Sequence, residues 1–379
     1  MQRLKSILQK KNTVVIKIGT NLLADKARGI DVERLEAVAR SVSALRSFGK
    51  NVAIVSSGAI GAGVAALGLE EPPRTVPEKQ ATAAIGQPLL MEAYERAFRQ
   101  QRLAIAQILL TRDDFTNRGR YLNTRNTFGV LFERGVVPII NENDTVAVEE
   151  IKLGDNDNLS AMVATLIEAG VLIVLSDIDG LFSDDPSADP DAELIKIVEK
   201  ITPEVQRYAR QTRGELSTGG MVTKIQAAKR CAAAGIAMVI TNGRSPDAIN
   251  RVLSGDFRGT LFLPAEKRLS MRKQWIGLIS RPNGHIVVDE GARIALLKRH
   301  KSLLPSGILE VRGRFKAHDV IVILGPEGQR LGKGITGFSS DEIHLMKGKK
   351  TSEVEGVLGR RVRAGVVPRD NFAPIGDPS

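Results

Sequence analysis

Val14-Val15-Ile16-Lys17-Ile18 reads as the core of a buried strand except for one residue, Lys17. An ammonium group in low-dielectric surroundings needs an anion beside it. That anion is either a structural carboxylate or an oxyanion of a ligand. Gly19 and Thr20 follow directly, and bare amides at such a turn can approach a phosphate. A second apolar run, Val52–Val55, leads into Ser56-Ser57-Gly58-Ala59-Ile60-Gly61-Ala62-Gly63. This segment opens a helix whose positive end suits an anion, although Gly and Ser also begin ordinary helices. It matches neither a Walker loop nor a dinucleotide fingerprint, because Ala66 stands where a glycine would be needed and no Gly-Lys-Ser/Thr follows. Further on, Ser217-Thr218-Gly219-Gly220-Met221-Val222-Thr223-Lys224 repeats the theme, with two glycines before a helix and Lys224 about one turn inside it.

Two more segments are rich in polar groups. Asn141-Glu142-Asn143-Asp144 follows the apolar Val136–Ile140, and Gly154-Asp155-Asn156-Asp157-Asn158 comes soon after. Such residues can bind an amino group, a carboxylate or both; they can equally form Asx turns and a helix N-cap at Asn156 or Asp157. The spacing of a calcium loop is missing. Ser176-Asp177 closes the strand-like Val171–Leu175 and opens a long acidic loop. Phosphoryl transfer asks a protein mainly for in-line positioning and positive charge. Two lysines, two glycine-rich turns and a carboxylate to orient them meet that need. All four histidines (His285, His300, His318, His344) lie in the last third, so none is expected to act as a base.

The elements that must hold these residues alternate. Strands are expected at 14–18, 52–55, 104–108, 136–140, 171–175 and 236–240, with helices at 32–48, 78–100, 121–133, 158–168 and 220–234. That alternation favours a three-layer αβα sandwich around a mostly parallel sheet, in which ligands gather at the carboxyl ends of strands. From His285 onward short strands dominate, with one helix at 292–298, so a small β-rich domain follows. The expected division is a first domain at 1–265, a linker at 266–282, a β-rich domain at 283–365 and a mobile tail at 366–379.

Composition narrows the classes. The net charge of +11 is concentrated in residues 266–379, where 21 lysines and arginines face 12 acidic residues, against 33 and 31 in the rest. A basic module can meet RNA, yet a structural role is the favoured reading. The only cysteine, Cys231, cannot form an internal disulfide and sits in a run of alanines, as a buried filler would. The basic start of the chain lacks the long apolar core of a signal peptide, and no stretch nears the ~18 apolar residues of a membrane span. A cytoplasmic location is expected.

VVIKIGTNLL, VSSGAIGAG, VVPIINENDTV, LGDNDNLSA, VLSDIDGLFSDDP and STGGMVTKIQAA together resemble the bacterial glutamate 5-kinase family of the amino-acid kinase superfamily, over about residues 13–263. The resemblance implies the amino-acid kinase fold and ATP-dependent phosphorylation of the L-glutamate γ-carboxylate, the first step of proline synthesis. It implies that Lys17 and Lys224 stabilise the transferring phosphoryl group and that Asp157 holds both lysines. Ser57, Asp144 and Asn156 would bind glutamate. Lys17, Gly19, Ser176, Asp177, Thr218, Gly219, Gly220, Met221, Val222, Thr223 and Lys224 would hold ATP, with Gly58 also lining the phosphates. Mg²⁺ would offset nucleotide charge, but no ligand set for a metal is legible. In the family Ser176 is often Thr, and Phe182-Ser183-Asp184 stands where Tyr-Thr-Ala is common. The segment from Gly284 to Ile343 resembles a PUA domain. The family further implies a homo-oligomer (dimer or tetramer), a glutamyl-phosphate reductase as partner and proline as feedback inhibitor. Two rival readings are another kinase of the superfamily, such as acetylglutamate or aspartate kinase, and an RNA-binding protein with a vestigial kinase fold.

Overall fold

The computed structural model describes residues 2–25, 29–146, 156–211, 220–265, 270–360 and 365–374, within two compact units, Met1–Arg268 and Leu269–Ser379. In the first unit the eight-stranded sheet is built from β1 (Thr13–Ile18), β2 (Asn51–Ser56), β3 (Ile105–Leu110), β4 (Val137–Glu142), β5 (Val171–Ser176), β6 (Ile197–Val198), β7 (Ala237–Asn242) and β8 (Gly259–Phe262). Their order is β3-β4-β2-β1-β5-β7-β8-β6. From β3 to β7 every pairing is parallel, while β8 runs antiparallel to β7 and parallel to β6. The expected mostly parallel sheet is therefore present. Sequence reading missed β6 and β8, whose two and four residues are too short to show a pattern.

Alternation along β1 decides which face each side chain meets. Val14, Ile16 and Ile18 join a core with residues of α1 (Val32–Ser47), such as Leu35 and Val38. Leu90, Tyr94 and Phe98 of the long α3 (Val76–Gln100) belong to the same core. The other face, to which Val15 and Lys17 point, is packed by α4 (Asn156–Leu166). That helix is buried on every side from Leu159 to Leu166, and it packs in turn on α5 (Met221–Ala233). Three layers result.

Between β2 and α3 lies α2 (Ala59–Leu67), which starts at Gly58 with φ +103°, a left-handed conformation that glycine adopts without strain. The α2–α3 crossing is closer than side chains permit. A Cβ added at Gly86 would stand 1.8 Å from the Ala59 carbonyl oxygen, and one at Gly63 would stand 2.0 Å from that of Thr82. α3 starts on a capping box formed by Thr75 and Glu78.

In the second unit a five-stranded sheet has the order β10-β9-β11-β12-β13, with β9 (Gly284–Val288), β10 (Ile308–Arg312), β11 (Val320–Leu324), β12 (Arg330–Ile335) and β13 (Phe372–Pro374). Only β9 and β11 pair in parallel. The expected helix appears at Glu290–Leu297, capped by Asp289, but Ser340–Met346 and Thr351–Leu358 are helices that sequence reading overlooked. Two boundaries also differ. The residues read as a linker contain a helix at Met271–Gln274 that continues as a π-helix at Trp275–Ile279, with Trp275 and Ile276 buried. The residues read as a mobile tail bury Val366 and Val367 and supply β13 as an edge strand. Pro374 lies in that edge strand, which tolerates a missing amide, and residues 375–379 lie outside the described residues. Among the described residues no helix is long and apolar enough to cross a membrane.

The glycine crossing yields a first expectation. Gly86→Ala should lower stability by about 1–3 kcal/mol, the usual cost of overpacking, seen as a fall in the thermal midpoint. An unchanged midpoint would mean that the two helices separate without cost.

Candidate active site

Chain order places β1 at a reversal: the chain leaves it for β2 on one side and later returns to β5 on the other. Crevices at such switch points, outside the carboxyl ends of the strands, are where open α/β sheets bind ligands. Register aligns the ends, since Ile18 pairs with Ser56 of β2 and with Leu175 of β5. Lys17, Ser57, Asn141 and Ser176 therefore sit around one crevice.

At its floor, Asp157 in the first turn of α4 lies between two ammonium groups. Its Oδ1 is 2.7 Å from Lys17 Nζ, and its Oδ2 is 3.2 Å from Lys224 Nζ. Thr223 Oγ1, 3.0 Å from the same Oδ2, is placed to donate there or to the Gly220 carbonyl at 2.7 Å. All three charged residues are withdrawn from water, with exposures of 6% for Lys17, 0% for Asp157 and 5% for Lys224. Two ammonium groups converge on one carboxylate in low-dielectric surroundings, which concentrates positive charge and favours an anion nearby. The helices confirm what holds the set together. A carboxylate in a first turn favours the helix dipole, whereas a lysine there opposes it. Lys224 stands in the first turn of α5 with Asp157 as one of its partners.

The Asp157 carboxyl feels two opposed effects. Burial pushes its pKa up, but the charges of Lys17 and Lys224, with hydrogen bonds from Lys17 and Thr223, override burial and hold it below the usual carboxylate range.

On one side of this triad lies a ring of amides and hydroxyls. The Asn156 side-chain nitrogen is 2.8 Å from the Ser56 carbonyl, 2.8 Å from Ser57 Oγ and 3.1 Å from Asn141 Oδ1. Asn141 Oδ1 also accepts from the Glu142 amide at 2.9 Å. Tyr94 of α3 donates to Ser56 Oγ at 2.9 Å, and Ser56 Oγ donates to the Ser57 carbonyl. Asp144, half-buried, follows β4 on the same side. The other side is bounded by Ser176 and Asp177. Burial raises the Asp177 pKa, but hydrogen bonds from Asn21 (2.8 Å), its own amide and Ser176 (3.1 Å), with the Lys224 charge, bring it below its ordinary value.

Two sequence expectations need correcting. The Gly19 amide is not free for a ligand, because it donates to the Leu175 carbonyl at 3.2 Å and ties β1 to β5. What glycine contributes is space, as a Cβ there would stand 3.8 Å from Lys17 Nζ. Neither Asn156 nor Asp157 precedes α4 as an N-cap; both lie inside its first turn, with the Asp157 carboxylate turned to the lysines. Gly220 is the N-cap of α5 and offers no side chain. Met221 is buried, and Val222 faces solvent. Thr218 and Gly219 lie outside the described residues. Sequence reading did not single out Asn21, Gln87 or Tyr94. A polar residue on a helix pattern looks like a solvated one, and only the fold shows what it touches. Cys231 is fully buried, with its thiol pushed up to about 12 by burial, as a filler should be. Among the described residues no group of three or more His, Cys, Asp or Glu side chains gathers to hold a metal ion.

Residues 12–242 match the model of the amino acid kinase family, and residues 284–358 match that of the PUA domain. The chain belongs to the amino acid kinase family. Within it, several similar curated proteins carry the name glutamate 5-kinase. One from Citrifermentans bemidjiense is 48% identical across 97% of this chain and 99% of its own. Another from Caldanaerobacter subterraneus subsp. tengcongensis is 46% identical across 96% and 97%.

The buried bridge makes a pH-dependent contribution to stability. Because the folded-state pKa of Asp157 lies below its unfolded value, that contribution is fully present above an unfolded pKa of about 4. It is lost as pH falls through the folded value. Asp157→Asn should cost about 3–5 kcal/mol at pH 7, the usual effect of leaving buried charges unpaired. In urea unfolding the deficit relative to the unaltered protein should shrink toward pH 3; a constant deficit would show that Asp157 is not ionised in the fold.

Proposed function

We infer that the chain transfers the γ-phosphoryl group of ATP to the γ-carboxylate of L-glutamate, giving γ-glutamyl phosphate and ADP, the first step of proline biosynthesis. The buried Lys17–Asp157–Lys224 bridge at the switch point carries this reading. Family membership supports the use of ATP, and the names of the relatives support glutamate as acceptor.

An oxygen of the acceptor carboxylate attacks the γ-phosphorus. The bond from that phosphorus to the β,γ-bridging oxygen breaks, and its electron pair leaves with ADP. No proton has to be removed from a carboxylate, so the site requires no general base. What it must supply is charge for the equatorial oxygens and alignment of the two ends. Lys17 and Lys224 supply the charge, and Asp157 keeps both ammonium groups pointed at one place. Ser57, Asn156 and Asp144 receive glutamate. Gly19, Ser176, Asp177 and the segment Thr218-Gly219-Gly220-Met221-Val222-Thr223-Lys224 receive ATP, and Gly58, at the start of α2, lines the phosphates. Mg²⁺, which binds through substrate phosphates and only one or two carboxylates, would arrive with the nucleotide and offset its charge; Asp157, already neutralised by two lysines, is a poor ligand for it.

The same proposal includes a cytoplasmic location, to which the lone buried thiol is suited. It also includes assembly into a dimer or tetramer, inhibition by proline at or overlapping the glutamate site, and delivery of the product to a glutamyl-phosphate reductase. For the PUA-type unit a structural or regulatory role is preferred to RNA contact.

ADP release with ATP and Mg²⁺ should depend on L-glutamate, and hydroxylamine should trap γ-glutamyl hydroxamate. Turnover only with N-acetylglutamate or L-aspartate would move the assignment to another member of the family. Lys17→Ala and Lys224→Ala should each lower kcat by about 100-fold or more, and near-normal turnover in both would overturn the assigned chemistry. Asp144→Ala should raise KM for glutamate and leave that for ATP nearly unchanged; the reverse pattern would exchange the two halves of the site.

A further inference from the structure

The glutamate half is held by more than the strand ends that form it. Asn141 is buried, and its side-chain nitrogen donates to Gln87 Oε1 of α3 at 3.0 Å. With that nitrogen so engaged, the carboxamide oxygen faces the other way. There it accepts from Asn156 Nδ2 at 3.1 Å and from the Glu142 amide. Asn156 in turn spans to Ser57 Oγ at 2.8 Å. A carboxamide has a donor end and an acceptor end of nearly the same shape, so its direction is chosen by its neighbours. Here Gln87 supplies the acceptor that selects one direction. Tyr94, seven residues further along and hence on the same face of α3, does the matching task at Ser56.

We propose that Gln87 is a positioning residue for the acceptor substrate, acting through the Asn141 carboxamide on Asn156 and Ser57. It acts on the glutamate half, because the groups it reaches through Asn141 lie at the ends of β2 and β4 and at the start of α4, apart from Ser176 and Asp177. The close α2–α3 crossing at Gly63 and Gly86 keeps α3 at a fixed height beside β4, so Gln87 delivers its oxygen from a rigid support.

The inference rests on glutamate as acceptor and is tested in the same assay. Gln87→Met keeps the length of the side chain and removes its polar end. It should raise KM for glutamate about tenfold, the size of one lost hydrogen bond, while KM for ATP and kcat stay within about twofold. Gln87→Glu keeps an oxygen that accepts from Asn141 and should recover most of the loss. A purely structural role would lower the thermal midpoint with both KM values unchanged, or would raise both together, and either result overturns the proposal. So does a Glu variant no better than the Met variant. If the unaltered chain shows no glutamate-dependent turnover, the functional reading fails first, whatever the variants do.

Discussion

One buried carboxylate shared by two ammonium groups is the constraint on which the first unit depends. Taking three charges out of water costs several kcal/mol for each ion unless they neutralise one another with good geometry. Asp157 meets that condition with contacts of 2.7 and 3.2 Å and a threonine hydroxyl within reach. The arrangement ties three elements that are far apart in sequence: β1 through Lys17, α4 through Asp157 and α5 through Lys224. Two ammonium groups gathered on one carboxylate favour an anion beside them.

The sheet-and-helix frame was largely legible because period-2 apolar runs alternate with long helical patterns. Lys17 stood out since a charge in the strand VVIKI has no solvated explanation. Its partner was harder to find. Asp157 lies about 140 residues away in a stretch of four polar residues after a glycine, where Asn156 and Asp157 read equally as helix caps, and family resemblance rather than spacing singled it out. Spacing also misjudged Gly19, whose amide closes a strand pair instead of facing a ligand. In the second unit residues 366–379 read as a mobile tail, whereas Val366, Val367 and Phe372 have a sheet and a core to join. Helix-borne groups such as Gln87 and Tyr94 escaped notice because a one-dimensional pattern does not say which polar residue of a helix faces the interior.

α3 is accordingly more than a cover for the sheet. Its apolar face supplies Leu90 and Phe98 to the core, and the close contact with α2 fixes its distance from Ala59. The polar atoms of Gln87 and Tyr94 meet the strand ends that carry the amide ring. Pro88 stands immediately after Gln87 inside the helix, where a missing amide and ring bulk usually disturb the backbone. The second unit has its own sheet and its own buried cluster.

The separation of the two lysines along the chain has a consequence for biosynthesis. A ribosome releases Lys17 early and Lys224 about two hundred residues later, at roughly 5–20 residues per second. During that interval β1 and α4 can meet, with the Asp157 carboxylate answered by a single cation. Only when α5 has emerged does the second cation arrive, and only then is the pair of ammonium groups complete. The Lys17–Asp157–Lys224 bridge is therefore completed only when nearly all of the first unit has been made, so the contact that ties β1, α4 and α5 together marks the unit as complete.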